Sequence, residues 1–209
     1  MKTRVAFITM FLLMLIASVA HAGVYTFEDT VNYWPGWANG TSDDSKDVIG
    51  VPNFTTGTVS YQNGGIMTGF SVNYTAGSAY NNLGSGDLFI NVNNDNSWDY
   101  VVDLSGRNGG TVGVYAFNVD YDATGSYIMS TGSGIREDHP TGAIVSGAPV
   151  AYATWSGLET WQNSGQVLTT SIEGLNLDYE VLTVGYTVSC ANDVVFAGGM
   201  SKTPIPGAV

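Results

Sequence analysis

Apolar and polar residues alternate with a period of two in several short stretches of this chain. Successive side chains of a β-strand point to opposite faces, so this period predicts strands with one buried face. The pattern places on shared faces Leu182, Val184, Tyr186, Val188 and Cys190 of "LTVGYTVSC", Ile66, Phe70, Val72 and Tyr74 of "IMTGFSVNY", and Trp98, Tyr100, Val102 and Leu104 of "WDYVVDL". A further stretch, "TVGVYAFNV", is apolar on both faces and predicts a strand that is covered on both sides.

The segments between these stretches predict tight turns. "QNGG", "NNLGSGD" and "SGRNGG" are rich in Gly, Asn and Ser, which tolerate the backbone angles of turns. No segment after residue 22 sustains a helical period, although "GLETWQ" has room for a single turn. Many short strands at steady spacing predict an all-β fold, an antiparallel β-sandwich or jelly roll, in one domain over residues 23–197.

The first residues have the three parts of a secretory signal. Lys2 and Arg4 precede an apolar run over residues 5–19, and "VAHAG" supplies small residues at the cleavage positions. We therefore expect residues 1–22 to be a signal peptide that is removed after Ala22. The alternative, a retained membrane anchor, is disfavoured because the run is shorter than the ~20 apolar residues of a membrane span.

The charge of the remaining chain restricts its partners. Without residues 1–22, four basic residues face 18 acidic ones, which gives a formal charge of −14. Nucleic acid and anionic membranes would repel such a chain, whereas divalent cations would be attracted to it. Cys190 is the single cysteine, so no internal disulfide forms, and its place on an apolar strand face predicts a buried, inert thiol.

Calcium is the metal that the acidic and amide residues suit best, because its sites are cages of oxygen ligands. The stretch "NVNNDNSWDY" places Asn91, Asn93 and Asp95 at alternate positions, with Asp99 shortly after, which is similar to the spacing of a calcium loop. The alternative is an Asn-rich hairpin turn that binds nothing.

Two further acidic groups are candidate metal ligands. Asp43, Asp44 and Asp47 lie together in "TSDDSKD". Glu28 and Asp29 lie near the start of the mature chain, and Asp193 lies near the last predicted strand. Because the terminal strands of a sandwich are often neighbours, this last group could share an ion and join the two ends of the domain.

Aromatic residues in two loops suggest contact with sugar rings, which stack on flat apolar faces. The candidates for an exposed platform are Tyr33, Trp34 and Trp37 of "NYWPGW" and Trp155 and Trp161 of "TWSGLETWQ". The alternative is that these rings belong to the core or anchor loops.

Catalytic motifs are missing from the sequence. His139 is the single histidine after residue 22, no serine stands in G-x-S-x-G, and no acidic pair alternates along one strand. One His and one Cys also disfavour a zinc site. These features predict a protein that is not an enzyme.

The end of the chain resembles the sorting tail of PEP-CTERM exported proteins of Gram-negative bacteria. The resemblance rests on "CANDVV" at residues 190–195, followed by a short spacer and by "PIPGAV" in the tail, residues 198–209. It also rests on "YTFEDTVNYWPGW", "DDSKDVIGVP", "GDLFINVNNDNSWDYVVDL", "IREDHP" and "CANDVVFAGG" in the body. In that family the tail leads into a hydrophobic helix and a basic end; here the sequence stops at Val209.

The resemblance implies a secreted or surface-located protein of a Gram-negative bacterium that associates with exopolysaccharide, and it assigns no reaction. Two hypotheses follow. The first is a non-enzymatic, calcium-stabilised protein of the extracellular matrix that contacts polysaccharide. The second is a structural subunit that assembles with copies of itself into a filament or a surface lattice.

Overall fold

The computed structural model describes residues 22–38, 40, 42–50, 52–75, 84–105, 109–131, 135–157 and 167–202. Two short 3-10 helices, Ser42–Ser45 and Thr124–Ser126, accompany twelve strands in this part of the chain. The strands are β1 (Ala22–Glu28), β2 (Asn53–Gln62), β3 (Ile66–Thr75), β4 (Ser85–Asn91), β5 (Ser97–Val102), β6 (Gly110–Asp120), β7 (Tyr127–Met129), β8 (Pro140–Ala143), β9 (Ala151–Trp155), β10 (Val167–Asp178), β11 (Val181–Val188) and β12 (Val194–Ser201).

The predicted terminal segments fall mostly outside these ranges. Of the predicted signal peptide, Ala22 alone is described, as the first residue of β1. The last strand runs past the predicted domain boundary at residue 197, and residues 203–209 of the predicted tail lie outside the described residues.

Ten strands form one antiparallel sheet in the order β1-β2-β3-β10-β9-β6-β5-β4-β11-β12, and β7 and β8 form a second, two-stranded sheet. The large sheet curls until its two edge strands face each other. The Tyr25 hydroxyl of β1 donates a hydrogen bond to the carbonyl oxygen of Ser201 on β12. At the other end of the same strands, Asp29 lies beside Asp193. We call this line between β1 and β12 the seam. The predicted all-β, sandwich-like fold is confirmed.

The main hydrophobic core lies between the two halves of the curled sheet. Phe54 of β2 and Phe70 of β3 have ring centroids 5.4 and 5.6 Å from that of Tyr186 on β11, which is not their neighbour within the sheet. Side chains from both halves are therefore buried against one another, as in a sandwich.

A second aromatic cluster covers the outer face of the half that contains β4, β5, β11 and β12. Trp34 and Trp37, from the segment after β1, pack there with Phe89 and Trp98. The prediction of a half-buried strand at residues 182–190 is therefore wrong: β11 is covered on both faces. Gly185 lies directly under this cluster, where a Cβ atom would be 2.6 Å from the ring of Trp98.

A bulge corrects the predicted face of β5. Trp98 pairs with Val119 of β6, but Tyr100 pairs with Ala116, so the register shifts between them. Trp98 consequently points to the outer cluster, while Tyr100, Val102 and Leu104 face the main core. The prediction that all four share one face is wrong because β6 has one residue more than β5 between these two pairs, and this bulge breaks the alternation of β5 opposite it.

The prediction for "TVGVYAFNV" holds over part of β6 only. Residues 112–114 are buried, and beyond them the strand alternates between partly buried and exposed positions. In β3 the predicted buried positions Phe70, Val72 and Tyr74 are confirmed, but Met67 is buried in place of Ile66. Cys190 is buried as predicted, and this burial raises the pKa of its thiol.

Candidate metal centre

Three aspartates from distant parts of the sequence meet at one end of the seam. Asp29 follows β1, Asp47 lies after the first 3-10 helix, and Asp193 precedes β12. One carboxylate oxygen of each lies within 4.8 Å of the others. We call these three residues the carboxylate cluster; within the described ranges, no other acidic, His or Cys side chains form a group of three this close.

Asp193 is the fully buried member of the cluster. Its Oδ1 accepts a hydrogen bond from its neighbour's amide, Val194 N–H, at 2.9 Å, and its Oδ2 accepts one from Phe54 N–H at the start of β2. Ala191, two residues before Asp193, has a φ of 52°. This left-handed conformation lies in the turn that leads the chain from β11 into β12. This turn directs the Asp193 carboxylate towards β1.

Asp29 and Asp47 bring buried oxygens that lack well-formed hydrogen bonds. Both carboxylate oxygens of Asp29 and Oδ1 of Asp47 are inaccessible to solvent and lie in no well-formed hydrogen bond with the described residues, although the N–H groups of Thr30 and Val31 and the Asp193 carboxyl are close enough to lower the pKa of Asp29. The backbone of Asp29 is fixed, because its N–H donates to Thr55 O at 2.9 Å. Burying such oxygens without a partner is unfavourable, so they favour a bound cation or water at this position.

Arg136 fixes the position of Asp47. Its side chain is 1% exposed, and Nη2 donates to the carbonyl oxygens of Lys46 and Asp47 at 2.7 and 3.1 Å. Its own N–H donates to Oδ1 of Asn192 at 3.0 Å. Its Nε and Nη1 make no hydrogen bond with the described residues, and its positive charge acts on Asp193 and Asp47. This guanidinium offsets part of the charge of the cluster.

The environment of the cluster disfavours ionised carboxylates. Burial raises the pKa of Asp193, and the nearby Asp29 raises it further. Burial also raises the pKa of Asp29, as does the charge of Asp47. For Asp47, burial raises the pKa while Arg136 opposes the shift. Ionising all three carboxyl groups at neutral pH therefore costs free energy, and a bound cation would lower that cost.

The remaining acidic candidates of this region have other partners. Asp44 is buried; its Oδ2 accepts from Gly40 N–H at 2.8 Å, and its Oδ1 lies 3.3 Å from Nε2 of His139. The other ring nitrogen of His139 lies 2.7 Å from Glu137 O. Asp43 forms an exposed ion pair with Lys46, and Glu28 is exposed beside the cluster. His139 thus belongs to a buried loop contact.

The cluster has the chemistry of a site for a hard divalent cation. Carboxylates are preferred ligands of calcium, whose sites hold about six to eight oxygens and accept water as part of the set. When ionised, three carboxylates and one guanidinium carry a formal charge of −2, which one divalent cation neutralises. Zinc fits poorly, since neither His139 nor Cys190 belongs to the cluster.

The asparagine-rich loop (residues 91–99) is closed by its own hydrogen bonds. Oδ1 of Asn91 accepts from the N–H groups of Asn93 and Asn94, and its Nδ2 donates to Asp95 O and to the Tyr121 hydroxyl. Asp95 accepts from Ser97, and Asp99 accepts from Val92 N–H at 2.8 Å. Most of the predicted ligand oxygens are therefore occupied within the loop, as the alternative of a non-binding turn expects.

Three of the tryptophans predicted for the sugar platform are structural. Trp34 is 2% exposed and donates from Nε1 to Val195 O at 2.9 Å, and Trp37 donates to Tyr121 O. Trp155 is equally buried and donates to Thr170 Oγ1. The prediction of an exposed sugar platform is wrong for these three rings, because core packing covers them. Tyr33 is half-buried, and Trp161 lies outside the described residues.

The sequence grouped the ligands only in part. It placed Asp29 with Asp193 through the neighbouring terminal strands, and the structure brings these two together; calcium binding itself stays a prediction. Asp47 was assigned to a separate group, and Arg136 was missed. One signal was available for Arg136, because it is one of only four basic residues after residue 22.

Comparisons of the chain with protein families, with curated proteins and with solved structures gave no match. Within the described ranges, no helix has the length and apolar character that crossing a membrane requires.

Proposed function

We propose that this chain is a non-enzymatic, exported protein of a bacterial surface or extracellular matrix, stabilised by calcium at Asp29, Asp47 and Asp193. One observation carries the metal proposal: three segments distant in sequence converge on buried carboxylate oxygens that make no well-formed hydrogen bond. The signal-like first residues and the PEP-CTERM resemblance support the proposed location.

The geometry favours a structural ion over a catalytic one. The cluster joins the end of β1, the loop after the first 3-10 helix and the start of β12. An ion there would crosslink the first and last strands of the described fold. It would stabilise the folded state by mass action, by about 2.7 kcal/mol at a hundred times its Kd.

Calorimetric titration with calcium, together with thermal unfolding, tests this role. We expect one calcium per chain and a Tm that rises by roughly 5–11 °C at a hundred times the Kd. Asp193→Asn and Asp47→Asn should remove both responses. Glu28→Gln is the matched control, because this exposed acid adjoins Asp29 and should leave both responses intact. Calcium binding that survives in both aspartate variants would overturn the site.

Association with polysaccharide is supported by a polar groove of about 530 Å³ on the outer face of β2, β3 and β10. Facing positions on these strands carry Thr58, Ser71 and Ser171, which pair in register. Serine and threonine hydroxyls line the groove together with Phe70, Ile172 and Glu173; because it holds an acidic and no basic residue, it suits a neutral polyol better than an anion. It takes the place of the tryptophan platform in the proposal.

Retention on neutral polysaccharide, compared between variants, tests the groove. Ser171→Arg places a large side chain at its centre and should reduce retention strongly. Thr111→Arg, at an exposed position of β6 outside the groove, should not. Equal retention of both variants would exclude the groove as the contact surface.

A further inference from the structure

The first strand is the least buried of the long strands. Its residues alternate between exposed and partly buried, and none is fully buried. It pairs with β2 over its whole length, from Ala22 opposite Gln62 to Glu28 opposite Thr56. Its other edge faces β12 across the seam, where the described residues make no backbone ladder. One hydrogen bond, Tyr25 to Ser201, and the carboxylate cluster bridge that gap.

The surface beneath β1 has a shape that fits this strand in one register. The Tyr25 ring stacks on Tyr61 with centroids 4.6 Å apart. The Phe27 ring lies over Gly57, where a Cβ atom would be 2.2 Å from it. Tyr61 in turn lies over Gly23, where a Cβ atom would be 2.4 Å from its ring. If β1 left, β2 would expose the Tyr61 ring and the space above Gly57. Only the β1 sequence, with Gly23 and Phe27 at the matching positions, fills this surface well.

The base of β1 is held by the carboxylate cluster alone on the seam side. Asp29 directly follows the strand, while Asp47 and Asp193 belong to the rest of the fold. Without a cation no ion crosslinks these carboxylates across the seam; a bound cation would tie Asp29, and with it the end of β1, to Asp47 and Asp193. Arg136 and Asn192 are almost fully buried, and each has N–H groups that no described residue accepts, which indicates room for water beside the cluster.

We infer that the cation site is a latch on strand exchange: when the site is empty, β1 leaves its own β2 and is replaced by β1 of a second copy of this chain. The inference rests on the proposed cation site and adds a partner to it. In the exchanged form the partner's Asp29 completes the cluster with Asp47 and Asp193, so each site is shared between two copies. Reciprocal exchange gives dimers, and open-ended exchange gives chains of molecules.

Disulfide trapping tests the exchange directly. Thr26 of β1 and Thr58 of β2 are opposite each other, and the partner Cα spacing of an antiparallel pair suits a disulfide. Thr26→Cys and Thr58→Cys proteins are purified separately, mixed, and oxidised mildly in chelator or in calcium. We expect a cross-linked heterodimer that forms in chelator and forms about a hundredfold more slowly at a hundred times the calcium Kd.

Three controls make the outcome specific. Ser171→Cys replaces Thr58→Cys in a parallel mixture and should give no heterodimer above background, because Ser171 is not opposite Thr26. The wild-type chain should not cross-link, since Cys190 is buried. The double variant Thr26→Cys with Thr58→Cys, oxidised within one chain, should remain monomeric by light scattering in chelator.

The failures of the two proposals are distinguishable. If calorimetry finds calcium binding but no Thr26–Thr58 heterodimer forms in chelator, the exchange is wrong and the site stands. If a heterodimer forms at the same rate in calcium and in chelator, the latch is wrong. Asp47→Asn tests the latch in a second way. A functioning latch predicts fast exchange in this variant whether calcium is present or not.

Discussion

The asparagine-rich loop and the carboxylate cluster are both rich in oxygen ligands, yet they differ in how those oxygens are satisfied. In the loop, Asn91, Asp95 and Asp99 accept hydrogen bonds from neighbouring N–H groups within a few residues. In the cluster, both oxygens of Asp29 and one of Asp47 are buried with no well-formed hydrogen bond to the described residues. The oxygens of the loop are satisfied without an ion, whereas those of the cluster are the ones that a cation would satisfy.

The comparison teaches that ligand spacing in sequence is a weak guide to a metal site. Short-range spacing also produces turns in which Asn and Asp side chains bond to the backbone two or three residues on, and these turns use up the same oxygens. The cluster has fewer local donors: Val194 N–H donates to Asp193, while Asp29 and Asp47 keep oxygens without a well-formed hydrogen bond to the described residues. These oxygens stay available for a cation.

The largest expected effect comes from removing the positive charge of Arg136, which acts on the cluster. Arg136→Gln would leave buried aspartates without their counter-charge and would break the hydrogen bonds to Lys46 O and Asp47 O. We expect the free energy of unfolding in chelator to fall by about 3–5 kcal/mol, and calcium to restore a larger share of stability than it adds to wild type. Urea unfolding measured with and without calcium checks this. A loss under about 1 kcal/mol would mean that Arg136 has little part in the cluster.

The pH dependence of the calcium-free protein should give the next effect. Because the folded-state pKa values of Asp29 and Asp193 are raised, their contribution to stability is fully present below about pH 4 and is lost as pH rises through those values. Asp87, buried between β4 and β8 with a pKa raised by burial to about 6, acts in the same direction.

Calcium should abolish the loss of stability with rising pH that comes from the cluster, and it should leave the loss that comes from Asp87. Thermal melts from pH 5 to pH 8, with calcium and with chelator, separate the two, and Asp193→Asn provides the reference without the cluster. If wild type in chelator is as stable at pH 8 as at pH 5 relative to that reference, the carboxylates are not strained.

The smallest effect belongs to the asparagine-rich loop. Burial tends to raise the pKa of Asp95, but hydrogen bonds from Ser97, Asn93 and Asn91 outweigh it and hold that pKa below its usual value. Asp95→Asn should lower the free energy of unfolding by about 1 kcal/mol or less and leave the calcium titration unchanged. A titration weakened by Asp95→Asn but unaffected by Asp47→Asn would reverse the assignment of the two regions.

Much of the fold follows from the period of two, because burial of one strand face is a local property that alternation records. The sequence could not indicate that Trp34 and Trp98 would cover the outer face of β11, since that cover comes from a segment far along the chain. The bulge opposite Trp98 was equally hidden, because a single extra residue in the partner strand β6 changes no composition and yet breaks the alternation of β5.

The sequence predicted the two site residues whose proximity follows from the positions of the first and last strands, and it missed the two residues that lie in loops. Asp29 and Asp193 flank the first and last strands, so a sandwich in which those strands are neighbours brings them together. Asp47 and Arg136 come from loops whose course depends on contacts such as Ile49 N–H to Asn192 O, which no local pattern encodes.

The position of the seam also decides when in folding the cluster can form. Asp29 and Asp193 become neighbours only after every strand between them has taken its place in the sheet, so their contact is among the most non-local in the chain. Closing it is expected after the rate-limiting step of folding. A cation bound there would slow unfolding and hardly change the folding rate, which refolding and unfolding kinetics in calcium and in chelator would show. At the proposed location outside the cell, such an ion would then set how long the folded state persists.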